Sequence, residues 1–229
     1  MEFSIIIPTV NEALPIVHCL TALKPYRDNC EIIVADGGST DETVRLAEPL
    51  ADKVILSEQG RAIQMNVGAE NAKGNVLIFL HADTLLPDDA IHQISQAIAN
   101  KGQWGRFDVI LSGRHPMLKI IAWFMNWRSR LTGIATGDQV IFVNKCLFES
   151  VGEYPFIPLM EDIALCKKLN KINSPVCLKA KVISSGRRWV KFGLFKTILL
   201  MWSLRLRYFL GVDPKTLATL YNKGQFWRI

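Results

Sequence analysis

Three apolar runs in the first eighty residues each end abruptly at a polar loop. Phe3 to Ile7 closes at Pro8, Glu31 to Ala35 closes at Asp36-Gly37-Gly38, and Asn75 to Leu80 closes at His81-Ala82-Asp83. A shorter run covers Lys53 to Leu56. Runs that do not alternate with polar residues are strands buried on both faces, as in a parallel sheet covered by helices. Helical patterns lie between them. Ser39-x-x-Glu42 predicts a capping box, with Val44, Ala47 and Ala51 recurring at helical spacing behind it. Ala62 to Ala72 predicts a second helix, stopped by Gly74. Pro87-Asp88-Asp89 opens a third, with acids in its first turn. This alternation predicts an α/β fold with a doubly wound, mixed but mainly parallel sheet flanked by helices.

The second half is less regular. Phe107 to Leu111, Val140 to Val143 and Val176 to Ile183 read as strands. Met117 to Leu131, Asn144 to Val151 and Met160 to Leu169 read as helices, and Leu194 to Leu210 as an amphipathic stretch. No repeat or linker interrupts the chain. The expectation is one domain over 1–229: a nucleotide-binding half (1–100), an acceptor and catalytic half (101–190) and C-terminal amphipathic helices (191–229).

Charge narrows the partner. With 27 Lys and Arg against 21 Asp and Glu, the chain carries a formal +6, which suits anions: nucleotide phosphates, an acidic membrane surface or nucleic acid. Many cations in the second half are interleaved with Trp, Phe and Leu, which favours membrane over nucleic acid. Mean hydropathy is +0.18, yet no run of ~18 uncharged apolar residues occurs. Five scattered cysteines without a C-x-x-C pair predict reduced thiols and argue against a zinc site. A strand pattern begins at once, with no signal peptide visible. The expected setting is cytoplasmic, peripheral on the inner face of the cytoplasmic membrane.

Chemistry gathers where the strands stop, because open α/β sheets bind ligands beyond their strand ends. Asp83, with His81 two residues earlier, suits a divalent cation that neutralises a phosphate. Pro8, Thr9, Asn11 and Glu12 would meet the base or ribose of a nucleotide; the alternative is an ordinary loop with Asn11 as an N-cap. Asp36 could accept from a uracil-type base edge, with Gly37 letting backbone approach a flat ring. Arg61 at a helix start suits a phosphate, or is a solvated arginine. Arg187, Arg188 and Trp189 suit a diphosphate and a stacked ring, or open an amphipathic helix. Asp138 and Gln139 follow a glycine turn and could hydrogen-bond donor sugar or acceptor. The stretches 117–131 and 194–210 fit the protein core at least as well as a membrane interface, with an oligomer contact as a further reading.

The order and spacing of Ser4-Ile5-Ile6-Ile7-Pro8-Thr9-Val10-Asn11-Glu12, Val34-Ala35-Asp36-Gly37-Gly38-Ser39-Thr40-Asp41 and His81-x-Asp83 resemble the family-2 glycosyltransferases with the GT-A fold. Gly60-Arg61 through Asn66, Thr136-Gly137-Asp138-Gln139, Pro158-Leu159-Met160-Glu161-Asp162 and Ser185-Gly186-Arg187-Arg188-Trp189 extend the resemblance to a bacterial subgroup, often labelled by similarity as carotenoid (diaponeurosporenoate-type) glycosyltransferases. The resemblance implies a nucleotide-diphospho-sugar donor, UDP-sugar favoured, and a divalent metal, Mn²⁺ or Mg²⁺. By the same carry-over, Asp36 would contact the base and Asp83 the metal bridging the diphosphate. His81 holds the first position of a motif that many relatives fill with acids, so either His81 binds manganese or Asp83 acts alone. Asp162 would be the base of an inverting transfer, with Glu161 orienting it or binding acceptor. Ser185 stands where processive members carry Gln of the Gln-x-x-Arg-Trp motif, which weakens any expectation of polymerisation.

The implied activity is transfer of a sugar to a hydroxyl or carboxyl acceptor, a lipid-like one among the candidates. The rival from another class is a non-catalytic, membrane-docked nucleotide-binding module. A nucleotidyltransferase would need a Gly-rich loop after the first strand, and a dinucleotide dehydrogenase a G-x-G-x-x-G; neither is present.

Overall fold

A computed structural model describes residues 2–187, 189, 193–224 and 226. Of the predicted site residues, Arg188 lies outside them. Strands β1 (Phe3–Thr9), β2 (Cys30–Asp36), β3 (Lys53–Leu56) and β4 (Val76–Phe79) alternate with helices α1 (Ala13–Ala22), α2 (Thr43–Ala47) and α3 (Arg61–Glu70). The chain continues through β5 (Thr84–Leu85), α4 (Ala90–Ala99), β6 (Trp104–Ser112), α5 (Met117–Thr132), a 3₁₀ turn at Gly137–Gln139 and β7 (Ile141–Asn144). It then forms α6 (Lys145–Ser150), α7 (Glu161–Asn170), β8 (Val176–Ser185), α8 (Leu194–Phe209) and α9 (Pro214–Lys223).

The eight strands form one sheet in the order β3-β2-β1-β4-β7-β6-β8-β5. β3, β2, β1 and β4 run parallel, as the unbroken apolar runs require, while β7 is antiparallel to both β4 and β6. The parallel register pairs Thr9 with Asp36 and Ile6 with Phe79, so the loops after β1, β2 and β4 leave from one edge.

Period-two alternation fills both faces. Phe3, Ile5, Ile7, Ile32 and Val34 pack with Ile16 and Leu20 of α1, Ile94 of α4 and Ile121 of α5. Ile6 and Ile33 point the other way, to Met65 of α3 and Ile163 and Leu169 of α7. α3 lies close on β1: a Cβ on Gly68 would collide with the Ile6 side chain. Leu200 and Leu204 of α8 meet Leu217 and Leu220 of α9 in a smaller third cluster.

Local starts differ from expectation. The Ser39–Glu42 capping box does not form: Ser39 Oγ donates to Asp36 Oδ2 (2.5 Å) and accepts from Asn11 N (2.8 Å). Glu42 holds the cap position without a side-chain bond, and Asp41, one residue before it, accepts from Thr43 N (3.0 Å) and the Thr43 hydroxyl. A short polar side chain that finds a tertiary partner has no reason to fold back on its own helix. α4 starts at Ala90, so Asp88 and Asp89 precede the first turn rather than fill it. β6 begins three residues earlier than Phe107 and carries a register irregularity between Phe107 and Asp108. The two-residue β5 gives no sequence signal. It exists because it pairs antiparallel with β8, Thr84 against Ser184.

Among the described residues, no helix is long and apolar enough to cross a membrane. Cys19, Cys30 and Cys166 are buried free thiols, each pushed up to about 12, with burial the main cause.

Candidate functional site: an acidic cleft at the strand ends

A cleft of about 570 Å³ opens where β1, β2 and β4 end, walled on the far side by the Thr136–Asp138 turn, the start of α7 and helices α8 and α9. Pro8, Thr9, Glu12, Arg61, His81, Asp83, Asp138, Glu161, Asp162, Arg187 and Trp189 all line it. Asn11, Asp36, Gly37 and Gln139 do not.

Those four hold the loops and the turn behind the lining in place. Asp36 is fully buried, and its two oxygens receive four donors: Gly38 N (2.9 Å) and Ser39 N (2.7 Å) on Oδ1, Ser39 Oγ (2.5 Å) and Thr9 Oγ1 (3.2 Å) on Oδ2. Asn11, at φ +53, turns its Oδ1 to accept from Thr40 N (2.8 Å), tying the first loop to the second. A Cβ on Gly37 would lie 2.9 Å from Val10 Cγ2 and 3.0 Å from Gln64 Cδ, so this position has no room for a side chain. Gln139 is buried and donates to Ser129 Oγ (3.0 Å).

α3 contributes three polar side chains that make specific contacts. Arg61 pairs with Glu161 (3.1 Å). Gln64 Nε2 donates to the carbonyls of Thr9 (2.7 Å) and Ala35 (2.9 Å), locking the ends of β1 and β2 together. Asn66 clamps Tyr154 through both its amide groups, donating to the carbonyl (2.9 Å) and accepting from the N–H (3.2 Å). Gln64 lines the cleft as well, and sequence reasoning missed it: a glutamine inside a helical pattern reads as solvated until its partners are known.

The strand-end acids are held by a cation. Arg187 Nη2 reaches Glu12 (2.7 Å to Oε1, 2.9 Å to Oε2) and Asp83 Oδ2 (3.2 Å). The hydrogen bond to Glu12, with the charges of Glu12 and Asp83, raises the Arg187 pKa further above its ordinary value. His81 sits deeper. Its Nδ1 lies 3.8 Å from Asp138 Oδ1, and its Nε2 is buried against Gly137, where a Cβ would overlap the ring. Burial, then the Arg61 charge, push its pKa down to about 4, so the imidazole is neutral at pH 7.

Asp162 has a different setting. Gly137 N donates to its Oδ2 (2.8 Å), while Oδ1 is buried without a partner among the described residues. Burial and the neighbouring Glu161 raise its pKa to about 7, against the opposing pull of Arg61. A carboxylate with one free oxygen and a pKa near neutrality is equipped to accept a proton at physiological pH.

Among the described residues no three His, Cys, Asp or Glu side chains converge on one point. The donor set therefore suits a cation that takes one or two carboxylates and completes its shell with substrate phosphates, as Mg²⁺ and related ions do. Asp83, lining the cleft and a quarter exposed, fits that arrangement. Arg205 and Met201 of α8, and Tyr221 and Asn222 of α9, also line the cleft and were not anticipated. Their segment reads as amphipathic helices, and only the return of the chain onto the strand ends brings them in.

The fold has close parallels. The mannosyltransferase PcManGT from Pyrobaculum calidifontis, solved with GDP-Man and Mn²⁺, aligns with TM-score 0.62 over 90% of this chain and 61% of its own, at 22% identity. S. aureus TarS 1-349 in complex with UDP-GlcNAc aligns with TM-score 0.62 over 81% and 58%, at 19% identity. These likenesses show a GT-A glycosyltransferase architecture. In sequence, a PGL/p-HBAD biosynthesis glycosyltransferase of Mycobacterium bovis is 40% identical over 94 residues, covering 37% of this chain and 36% of the relative. This chain thus spans about a third of the length of that relative. The family model described as glycosyl transferase family 2 matches residues 4–147, well over half of the sequence, and on that match the chain belongs to glycosyl transferase family 2.

Proposed function

We propose that the protein transfers a glycosyl group from a nucleotide-diphospho-sugar to a hydroxyl or carboxyl acceptor with inversion at the anomeric carbon. The observation that carries this reading is Asp162: a buried carboxylate with one oxygen unpartnered among the described residues and a pKa raised to about 7, in the same cleft as Asp83 and Arg187. For a hydroxyl acceptor, Asp162 Oδ1 takes the proton as the acceptor oxygen bonds to the anomeric carbon. The bond from that carbon to the diphosphate breaks, and its electron pair leaves with the diphosphate.

Arg187, when released from Glu12 and Asp83, is free to contact the departing phosphates through its guanidinium fork. Asp83 would hold a divalent cation, Mn²⁺ or Mg²⁺, which supplies positive charge to the leaving diphosphate. His81 is better placed as its neutral neighbour, because Nε2 is walled off by Gly137 and Nδ1 faces Asp138. Asp36 serves the nucleotide by shaping the loop, with Thr9 and Pro8 left to meet the base or ribose. UDP-GlcNAc and GDP-Man bound to the two solved relatives support a nucleotide-sugar donor, and a UDP-sugar is the first to try.

The same reading places the protein against the cytoplasmic face of a membrane. Trp123, Phe124 and Trp127 of α5 and Phe195, Leu199 and Trp202 of α8 are each more than half exposed on a chain of net charge +6. Exposed aromatic rings on basic helices suit the headgroup layer of an anionic bilayer and a hydrophobic acceptor.

A donor screen by mass, with lipid extract as the acceptor source, tests the transfer. Parent protein is expected to release UDP or GDP from one nucleotide-sugar in the presence of Mn²⁺, and Asp83→Ala to lose that metal-dependent turnover while remaining folded. Undiminished turnover in Asp83→Ala would sink the assignment; nucleotide binding without turnover of any donor would instead favour a binding module. Co-sedimentation with anionic vesicles at low salt checks the membrane contact, and failure to pellet counts against it.

A further inference from the structure

Five described residues other than glycine have a left-handed backbone: Asn11, Lys101, Val140, Glu153 and Met160. For three of them the reason is ordinary. Asn11 is of a type that visits this region readily, and Lys101 and Glu153 follow the ends of α4 and α6, where a left-handed residue commonly stops a helix. Val140 (φ +51, ψ +98) and Met160 (φ +71, ψ +15) have neither explanation. A β-branched or bulky side chain is strained at positive φ, so the surroundings of each must hold it there.

These two residues lie on the two segments that meet at Asp162. Val140 closes the Gly137–Gln139 turn by donating its N–H to the Gly137 carbonyl (3.0 Å), and Gly137 N in turn holds Asp162 Oδ2 (2.8 Å). Val140 is fully buried in the sheet core just before β7, which is enough to fix it. Met160 caps α7 two residues before Asp162, and its carbonyl accepts from Ala164 N (3.0 Å) in the first turn of that helix. Its anchor is different. The Met160 side chain lines the cleft and packs against two hydrophobic clusters at once. One contains Ile163 of α7 beneath the sheet; the other joins Leu159 to Leu200 of α8 and Leu217 of α9.

We infer that Met160 is a positioning residue for Asp162: its side chain, wedged between the sheet core and the α8–α9 cluster, sets the left-handed turn that opens α7, and that turn keeps Asp162 against the Gly137 N–H at the wall of the cleft. Through Met160, the packing of α8 and α9 bears on the acid itself. The consequence for turnover rests on the proposed glycosyl transfer, whereas the placement of Asp162 does not.

Substitutions at this one residue separate the anchor from the backbone. Glycine takes a positive φ without steric cost but has no side chain to wedge, while leucine keeps an apolar body of similar size. With the nucleotide-sugar that the parent accepts, Met160→Gly is expected to lose kcat roughly 10- to 100-fold, the scale for a misplaced reacting group, with donor KM unchanged and Met160→Leu close to the parent. The titratable groups that act on or beside Asp162, namely Glu161, Arg61, Asp138, Arg205, Tyr154 and Cys166, are retained in both variants. Water admitted around Asp162 in Met160→Gly is therefore expected to move the rising limb of kcat/KM from about 7 toward the ordinary carboxylate range. A residue that only fills space would lower the melting temperature in Met160→Gly and leave kcat and the pH limb as in the parent, and that result overturns the inference. If Met160→Gly does not fold, Met160→Ala decides by the same measurements. If the parent turns over no donor, the transfer itself fails, and carbon-13 NMR titration of the Asp162 carboxyl, assigned by its loss in Asp162→Asn, still decides the placement. A pKa equal in parent and Met160→Gly overturns it; a lower one in the variant supports it.

Discussion

Asp36 and Asp162 are both acids buried at the rim of one sheet, and they are used in opposite ways. Asp36 receives four donors, two on each oxygen, and does not line the cleft. Among the described residues, Asp162 receives a single backbone donor and keeps an oxygen without a partner. A filled carboxylate organises backbone; an unfilled one retains the capacity to react. Burial is common to the two, so it is the count of donors that separates a structural acid from a chemical one.

The largest effect expected from this contrast is on turnover. Asp162→Asn should keep its contact with Gly137 N and its volume, yet cut the rate by roughly 100- to 10,000-fold, the range for loss of a general base. In the parent, kcat/KM should rise as pH increases through about 7, because Asp162 must lose its proton to act, and this limb should vanish in the variant. A residual rate with an unchanged pH limb would assign the base elsewhere. The second test falls on the other acid. Asp36→Ala leaves four donors without their acceptor and should cost about 2–4 kcal/mol in chemical denaturation, with nucleotide affinity falling as the loops loosen. If the variant proves as stable as the parent but fails to bind nucleotide, Asp36 contacts the base directly and the contrast breaks. The smallest effect belongs to Gly37→Ala, whose methyl meets Val10 and Gln64 at about contact-breaking range and should cost about 1–3 kcal/mol by the same measurement.

Much of this arrangement was legible because it depends on local pattern. Unbroken apolar runs located β1 to β4, and the polar stops behind them located Pro8, Thr9, Glu12, Asp83 and His81 at the cleft. What was not legible depends on partners distant in sequence. Ser39 resembles a helix cap until Asn11 and Asp36 claim it from the neighbouring strand end. Gln64 and Asn66 look like solvated helix residues until Thr9, Ala35 and Tyr154 are placed against them. β5 has no pattern of its own and takes its form from Ser184, a hundred residues later. The same holds for Arg205: its segment reads as an amphipathic helix, and its place in the cleft follows from packing against α9.

The N–H of Gly137 has a consequence for the stereochemistry of the proton itself. It already points at Oδ2 of Asp162, and a carbonyl oxygen accepts such an N–H better than a carboxylic hydroxyl does. The acid form is therefore biased toward the tautomer protonated on Oδ1, and the turn sets that preference before any substrate enters.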